Sequence, residues 1–230
     1  MRSSFNLDLF GDMPEPGESF SPIAPGAALL RGFARAQAAQ LLANIEDLIK
    51  HAPLRHLVTP GGYPMSVAMT NCGSFGWGSD QHGYRYTAQD PISGLAWPAM
   101  PEIFLTLATA AALAAGFPHF APDACLINEY LPAARMSLHQ DRNERHMTSP
   151  IVSVSLGLPA VFLFGGLSRS DKPQRLLLSH GDVVVWGGPS RLAFHGVAPL
   201  ADGWHGLLGS RRINLTFRHA GEKLASSGFD

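Results

Sequence analysis

The stretch Arg212-Ile213-Asn214-Leu215-Thr216-Phe217-Arg218 alternates without a break between polar and apolar residues. In an extended chain successive side chains point to opposite faces, so Ile213, Leu215 and Phe217 share one face while Arg212, Asn214, Thr216 and Arg218 share the other. On an isolated hairpin the arginines would point to solvent. In a sandwich or barrel both faces are enclosed, and two inward arginines then require anions. The sequence before this stretch favours the enclosed arrangement. Leu126, Asn128 and Tyr130 alternate with Ile127, Glu129 and Leu131, and Val152, Val154 and Leu156 alternate with Ser153, Ser155 and Gly157. Further runs occupy Val161–Phe164, Arg175–Leu178, Val183–Trp186 and Leu192–Val197. They are separated by turn signals such as Gly165-Gly166, His180-Gly181-Asp182 and Gly187-Gly188-Pro189. Short strands at this spacing predict a mainly β, α+β chain built on a double-sheet jelly roll.

Earlier in the chain the period changes. Leu41, Leu42, Ile45, Leu48 and Ile49 give one face of an amphipathic helix over Ala34–Lys50. A second helix is predicted from Pro101, with Ile103, Phe104, Leu107 and Ala111 inward and Gly116 as its stop. Between them, Thr59–Pro98 is broken by glycines and carries Tyr63, Phe75, Trp77, Tyr84, Tyr86 and Trp97, the pattern of a hairpin-rich flap. Those aromatics suit either cross-strand pairing over a small core or a stacking surface for a flat ligand. Residues 1–26, with Pro14, Pro16, Pro22 and Pro25, read as an extended arm. The expected organisation is one structural domain: the arm, helices and flap over 27–120, the β core over 121–221, and a tail over 222–230.

With 230 residues the chain can bury one sizeable core. Its formal net charge of −1 excludes a global basic field, so a nucleic-acid partner would have to be met by a local patch. Two cysteines, Cys72 and Cys125, form no disulfide framework and fit a reducing cytoplasm. MRSSFNLDLF lacks the apolar core of a signal peptide, and Ile103–Ala115 is too short to span a bilayer. A cytoplasmic monomer without membrane attachment is expected.

His139-Gln140-Asp141 is the candidate for chemistry. In an extended segment His139 and Asp141 point the same way, and with a second imidazole they form the facial triad of non-haem Fe(II) oxygenases, which leaves three metal positions open. An isolated H-x-D triplet is weak evidence in a chain with ten histidines. His195, in Leu192-Ala193-Phe194-His195-Gly196-Val197, is the candidate third ligand; read alone, it fits a satisfied core histidine at least as well. The polar face of 212–218 supplies context. Two arginines and Asn214 can grip a dicarboxylate through forked, charge-assisted hydrogen bonds, and Asn128 and Tyr130 offer further donors. A three-ligand metal beside a dicarboxylate pocket points to Fe(II) and 2-oxoglutarate acting together.

These residues also carry a resemblance. Asn128-Glu129-Tyr130, Ser137–Asp141, Pro150–Leu158, Phe164–Leu167, His180–Gly188, His195 and Arg212–Arg218 closely resemble the bacterial AlkB family, Fe(II)/2-oxoglutarate-dependent enzymes that repair alkylated DNA. The similarity reaches back through Val58–Tyr63 and Met65–Cys72. It implies a double-stranded β-helix with flanking helices and an N-terminal nucleotide-recognition lid. It implies His139, Asp141 and His195 as catalytic iron ligands, and Asn128, Tyr130, Arg212, Asn214 and Arg218 as 2-oxoglutarate contacts, without assigning either arginine to a carboxylate. It places Trp77, Tyr84, Arg169, Met69, Leu126, Asn143 and Glu144 on the substrate side. The implied substrate is alkylated single- or double-stranded DNA bearing 1-methyladenine or 3-methylcytosine, with RNA a further candidate. Asn143 departs from the family's acidic residue, which leaves lesion preference open. Two rivals stay open as well: a related oxygenase acting on RNA, protein or a small molecule, and a non-catalytic nucleic-acid-binding module.

Overall fold

A computed structural model describes residues 20–221; the expectations for residues 1–19 of the arm and for the tail 222–230 lie outside the described residues. The chain opens with β1 (Phe20–Ala24) and β2 (Ala27–Leu30), an antiparallel pair at one edge of the main sheet. The part of the arm that is described is extended and forms a paired strand. Helix α1 (Ala38–His51) starts four residues later than predicted, because Arg31–Gln37 forms turns. Then come β3 (Arg55–Val58), β4 (Pro64–Gly73), β5 (Gly76–Asp80) and β6 (Gly83–Thr87). Pro101 caps α2 (Glu102–Ala114), and Gly116, at φ +88°, lets the chain leave it in the left-handed region.

The second half follows the predicted strand series: β7 (Ala124–Tyr130), β8 (Met136–His139), β9 (Ile151–Gly157), β10 (Ala160–Phe164), β11 (Gln174–Leu178), β12 (Val183–Trp186), β13 (His195–Val197) and β14 (Arg212–Arg218). The strand expected over Leu192–Val197 is shorter. A 3-10 turn at Gly188–Ser190 continues into residues 191–192, and the Ala193 N–H closes it by donating to the Ser190 carbonyl.

Eight strands form the large sheet in the order β1-β2-β12-β9-β14-β7-β4-β3, and four form the small sheet in the order β11-β10-β13-β8. The pair β5-β6 stands apart as a hairpin. Long β4 pairs with β7 and belongs to the large sheet, so the flap is narrower than Thr59–Pro98. The boundary drawn at residue 120 crosses this continuous sheet.

Alternation decides which face each residue serves. Ile213, Leu215 and Phe217 join Ile127, Val152, Val154 and Leu156 under the helices, against Leu41, Ile45, Phe104 and Ala108. Leu126, Tyr130 and Trp186 face Phe162, Phe164 and Val197 of the small sheet. All seven residues of β14 are buried, both arginines included. The enclosed arrangement holds, and the polar stripe of β14 lies between two sheets.

Strands β8 and β13 pair with His139 directly opposite His195. Gly196 permits this. A Cβ there would lie 2.6 Å from the Met136 carbonyl oxygen and 3.1 Å from the Ser137 carbonyl carbon, so what approaches closely is the neighbouring strand. Gly196→Ala forces the two strands apart and is expected to cost about 1–3 kcal/mol, the usual range for overpacking. Urea unfolding checks the stability, and a Co(II) titration should show weaker binding because both histidines ride on these strands.

Candidate metal centre and co-substrate cavity

The strand pairing, plus the residue two places past His139, brings three ligand side chains together. His139, Asp141 and His195 offer ligand atoms all within 4.8 Å of one another, and no other such cluster occurs among the described residues. His139 Nε2 lies 3.6 Å from Asp141 Oδ1, and His195 Nε2 lies 3.7 Å from Asp141 Oδ2. The opposite nitrogens are already committed. His139 Nδ1 faces the Ser137 carbonyl at 2.8 Å, and His195 Nδ1 faces the Ala193 carbonyl at 3.0 Å. A carbonyl only accepts, so each Nδ1 carries the proton and each Nε2 turns a lone pair toward the centre.

The electrostatics suit a cation. Burial pushes the His195 pKa down from 6.5 to about 4, with the neighbouring His139 adding to the fall and Asp141 opposing it. Burial alone would raise the Asp141 carboxyl, but Arg218, His195 and His139 outweigh it and hold that group well below the usual carboxylate range. Neutral imidazoles and an ionised carboxylate are the forms that bind a divalent metal.

Beside the triad, a cavity is lined by Asn128, Tyr130, Arg212, Asn214 and Arg218 together with Trp186 and Leu126. Arg212 is only 1% exposed. Its Nη2 donates to Ser155 Oγ at 2.9 Å, and its guanidinium lies 4.9 Å from the Tyr130 ring centroid. Its Nε and Nη1 are buried without a partner. A guanidinium does not give up its proton in a protein, so these orphaned donors ask for an anion. Arg218 is differently placed. Its Nε donates to Asp141 Oδ2 at 2.8 Å and lies 3.4 Å from Glu144 Oε1. The residues therefore fit a bound metal and a dicarboxylate, with the free cationic donors at the end of the cavity marked by Arg212.

The β5-β6 hairpin carries Trp77 and Tyr84, whose rings stack at 5.6 Å between centroids and 15° between planes. Trp77 packs against the cluster containing Met69, Leu126 and Tyr130, while Tyr84 is 45% exposed. Asn71 on β4 holds the hairpin in place, donating to the Trp77 carbonyl and accepting from the Trp77 N–H, both at 3.0 Å. Asn143 is exposed and lines a groove with Tyr84, Tyr86 and Arg145. Arg169 is exposed, with its guanidinium 5.8 Å from the Phe194 ring centroid.

Glu144 is buried, with Oε1 accepting from the Tyr86 hydroxyl at 2.8 Å and Oε2 from Arg191 at 3.1 Å, so both oxygens are engaged within the protein. The sequence gives no role at the site to Asn71, Trp186 or Arg191, and it presents Tyr86 only as one of the flap aromatics. Asn71 lies inside the Met65–Cys72 run that carries the resemblance, and that was the available signal. Arg191 had none, since an arginine after a turn ordinarily faces water.

The histidine pKa values fix a sign for the pH dependence. His195 is held at about 4, below its unfolded value, so the unfolded chain takes up that proton first as pH falls. The metal-free protein should lose stability from about pH 6.5 downward toward 4. His180, also depressed to about 4 by burial with help from His205 and Arg35, acts in the same window. Urea midpoints should drop between pH 7 and pH 5 in the wild type and drop less in His195→Gln. Equal drops would remove His195 from this account.

Comparison with known proteins agrees with this geometry. The family model of the 2OG-Fe(II) oxygenase superfamily matches residues 26–218. The alpha-ketoglutarate-dependent dioxygenase AlkB of Escherichia coli is 57% identical over 217 residues, covering 94% of this chain and 99% of the relative. Its Salmonella typhimurium counterpart is 56% identical over the same shares. The solved structure of OsALKBH1 superposes with a TM-score of 0.75 at 29% identity, covering 87% of this chain and all of that one. The chain is a jelly-roll dioxygenase that depends on Fe(II) and 2-oxoglutarate, and it belongs to the bacterial AlkB family.

Proposed function

We propose that this dioxygenase oxidatively demethylates N-alkylated bases, such as 1-methyladenine and 3-methylcytosine, in DNA. The observation that carries the reading is the stacked Trp77–Tyr84 pair, fixed by Asn71 on the hairpin beside the metal centre. A methyl group on the Watson–Crick edge is reached only when the base leaves the helix or is already single-stranded, and an extruded base needs an aromatic wall.

His139, Asp141 and His195 hold Fe(II). Arg212, with Tyr130 and Asn128 nearby, takes one carboxylate of 2-oxoglutarate through its orphaned Nε and Nη1. Arg218, bonded to Asp141, lies beside the triad and, with Asn214, serves the other end. Bound Fe(II) and 2-oxoglutarate supply dioxygen activation: the oxo acid leaves as succinate and carbon dioxide, and the methyl carbon gains an oxygen and departs as formaldehyde. Trp77 stacks on the base, Met69 and Leu126 form apolar walls, and the Asn143 amide oxygen accepts from an exocyclic amino group. Tyr84 and Arg169 flank the mouth, and exposed Arg142 and Lys172 meet phosphates. No helix among the described residues is long and apolar enough to cross a membrane. Both cysteines are free, which supports a cytoplasmic location.

The test is formaldehyde release from single- and double-stranded oligonucleotides bearing each lesion, in DNA and in RNA. Turnover of methylated DNA is expected, with no product from His139→Ala. Absence of turnover on every DNA lesion by iron-loaded enzyme defeats the proposal, and turnover confined to RNA transfers it to that rival. Trp77→Ala should lower kcat/KM for the oligonucleotide roughly 10–100-fold, in line with a stacked base. Arg212→Met should raise the KM for 2-oxoglutarate about 30-fold or more while leaving oligonucleotide binding intact, as loss of a charge-assisted pair predicts.

A further inference from the structure

Asp141 lies past the end of β8, in a segment with neither helix nor strand from residue 140 to residue 150. Arg218 secures its carboxylate, but the backbone that carries it needs a separate anchor. One buried side chain provides it. Arg191 Nη1 donates to the Asp141 carbonyl at 2.7 Å, Nε donates to the Ser149 carbonyl at 2.9 Å, and Nη2 donates to Glu144 Oε2 at 3.1 Å. The three contacts span the segment from its metal ligand to its end. Gln140 reinforces them, donating to the Leu192 carbonyl at 2.6 Å.

The anchor is itself tied to the other buried ligand. Arg191 directly follows the 3-10 turn, whose Ser190 hydroxyl donates to the Pro25 carbonyl at 2.8 Å. Two residues further on, the Ala193 carbonyl orients the His195 ring. Only planar guanidinium can reach three acceptors in fixed directions; a lysine ammonium carries the charge without that fork.

We infer that Arg191 is a positioning residue for the metal centre, setting the backbone of ligand Asp141 against the segment that orients His195, with Glu144 as its buried counter-ion. Its role concerns how the site holds metal and is independent of which substrate the enzyme demethylates.

Co(II) is the probe, since its visible ligand-field bands report coordination geometry. It is titrated into the full chain without nucleic acid, alongside thermal unfolding of each metal-free variant. Arg191→Lys keeps the charge and should bind Co(II) about 10–100-fold more weakly, the range for groups that orient metal ligands, with altered bands. A purely structural residue would lower the unfolding temperature and leave affinity and bands unchanged in the folded protein, and that result overturns the inference. Should Arg191→Lys not fold, the pair Arg191→Met with Glu144→Leu replaces the buried ion pair by apolar side chains, a change that often preserves stability. Wild-type Co(II) affinity and bands in that double variant would equally overturn it. Failure of the oligonucleotide assay would leave these outcomes untouched.

Discussion

Ionised groups enclosed between two sheets are the constraint from which the rest of the site follows. Strand β14 puts two arginines on the face opposite its core residues, and that face is buried. Burying an unpaired guanidinium costs several kcal/mol, so each arginine demands an answer. For Arg218 the answer lies within the protein: Asp141 and Glu144 both lie beside it. Arg191 brings a second cation against Glu144, so two cations meet two anions and that cluster is balanced. Arg212 meets only uncharged groups, Ser155 and Tyr130. Its charge is the surplus, and a site with one surplus buried cation is prepared for an anionic co-substrate.

Much of this was legible because period-2 alternation is strict where both faces are buried. The residues 212–218 declared two faces, and the β7 and β9 patterns declared the same enclosure. The inward residues of one strand are neighbours whatever the details of the fold. What alternation cannot give is pairing at a distance. That His139 faces His195 is a fact of strand register, and without the family resemblance the residues present His195 only as a histidine in an apolar run.

The features that stayed hidden share a physical origin. Glu144 follows Asn143 in an irregular segment, where no periodicity says which side chain turns inward, and exposure is the ordinary expectation for a loop glutamate. Its burial depends on Arg191 and Tyr86, which come from 47 and 58 residues away. Long β4 was read as part of the flap because glycines and aromatics flank it. Its membership of the large sheet follows from pairing with β7, a contact invisible in composition. The shortened β13 shows a local effect of the same kind, a turn bond from Ala193 to Ser190 overriding an apolar pattern.

The two arginines of β14 are not equivalent, although the sequence presents them as a matched pair. Arg218 holds one carboxylate oxygen of Asp141, leaving Oδ1 directed toward His139. It therefore restrains a metal ligand, and any contact it makes with co-substrate comes second to that. Arg212 restrains no ligand, and two of its buried donors are unmet. Loss of Arg212 removes affinity for an anion. Loss of Arg218 leaves Asp141 without a hydrogen-bonded counter-ion and Glu144 with Arg191 alone, which disturbs the ligand field itself. The same strand thus separates holding the metal from holding the oxo acid, and Arg191 belongs with the first of these tasks although it lies outside the strand altogether.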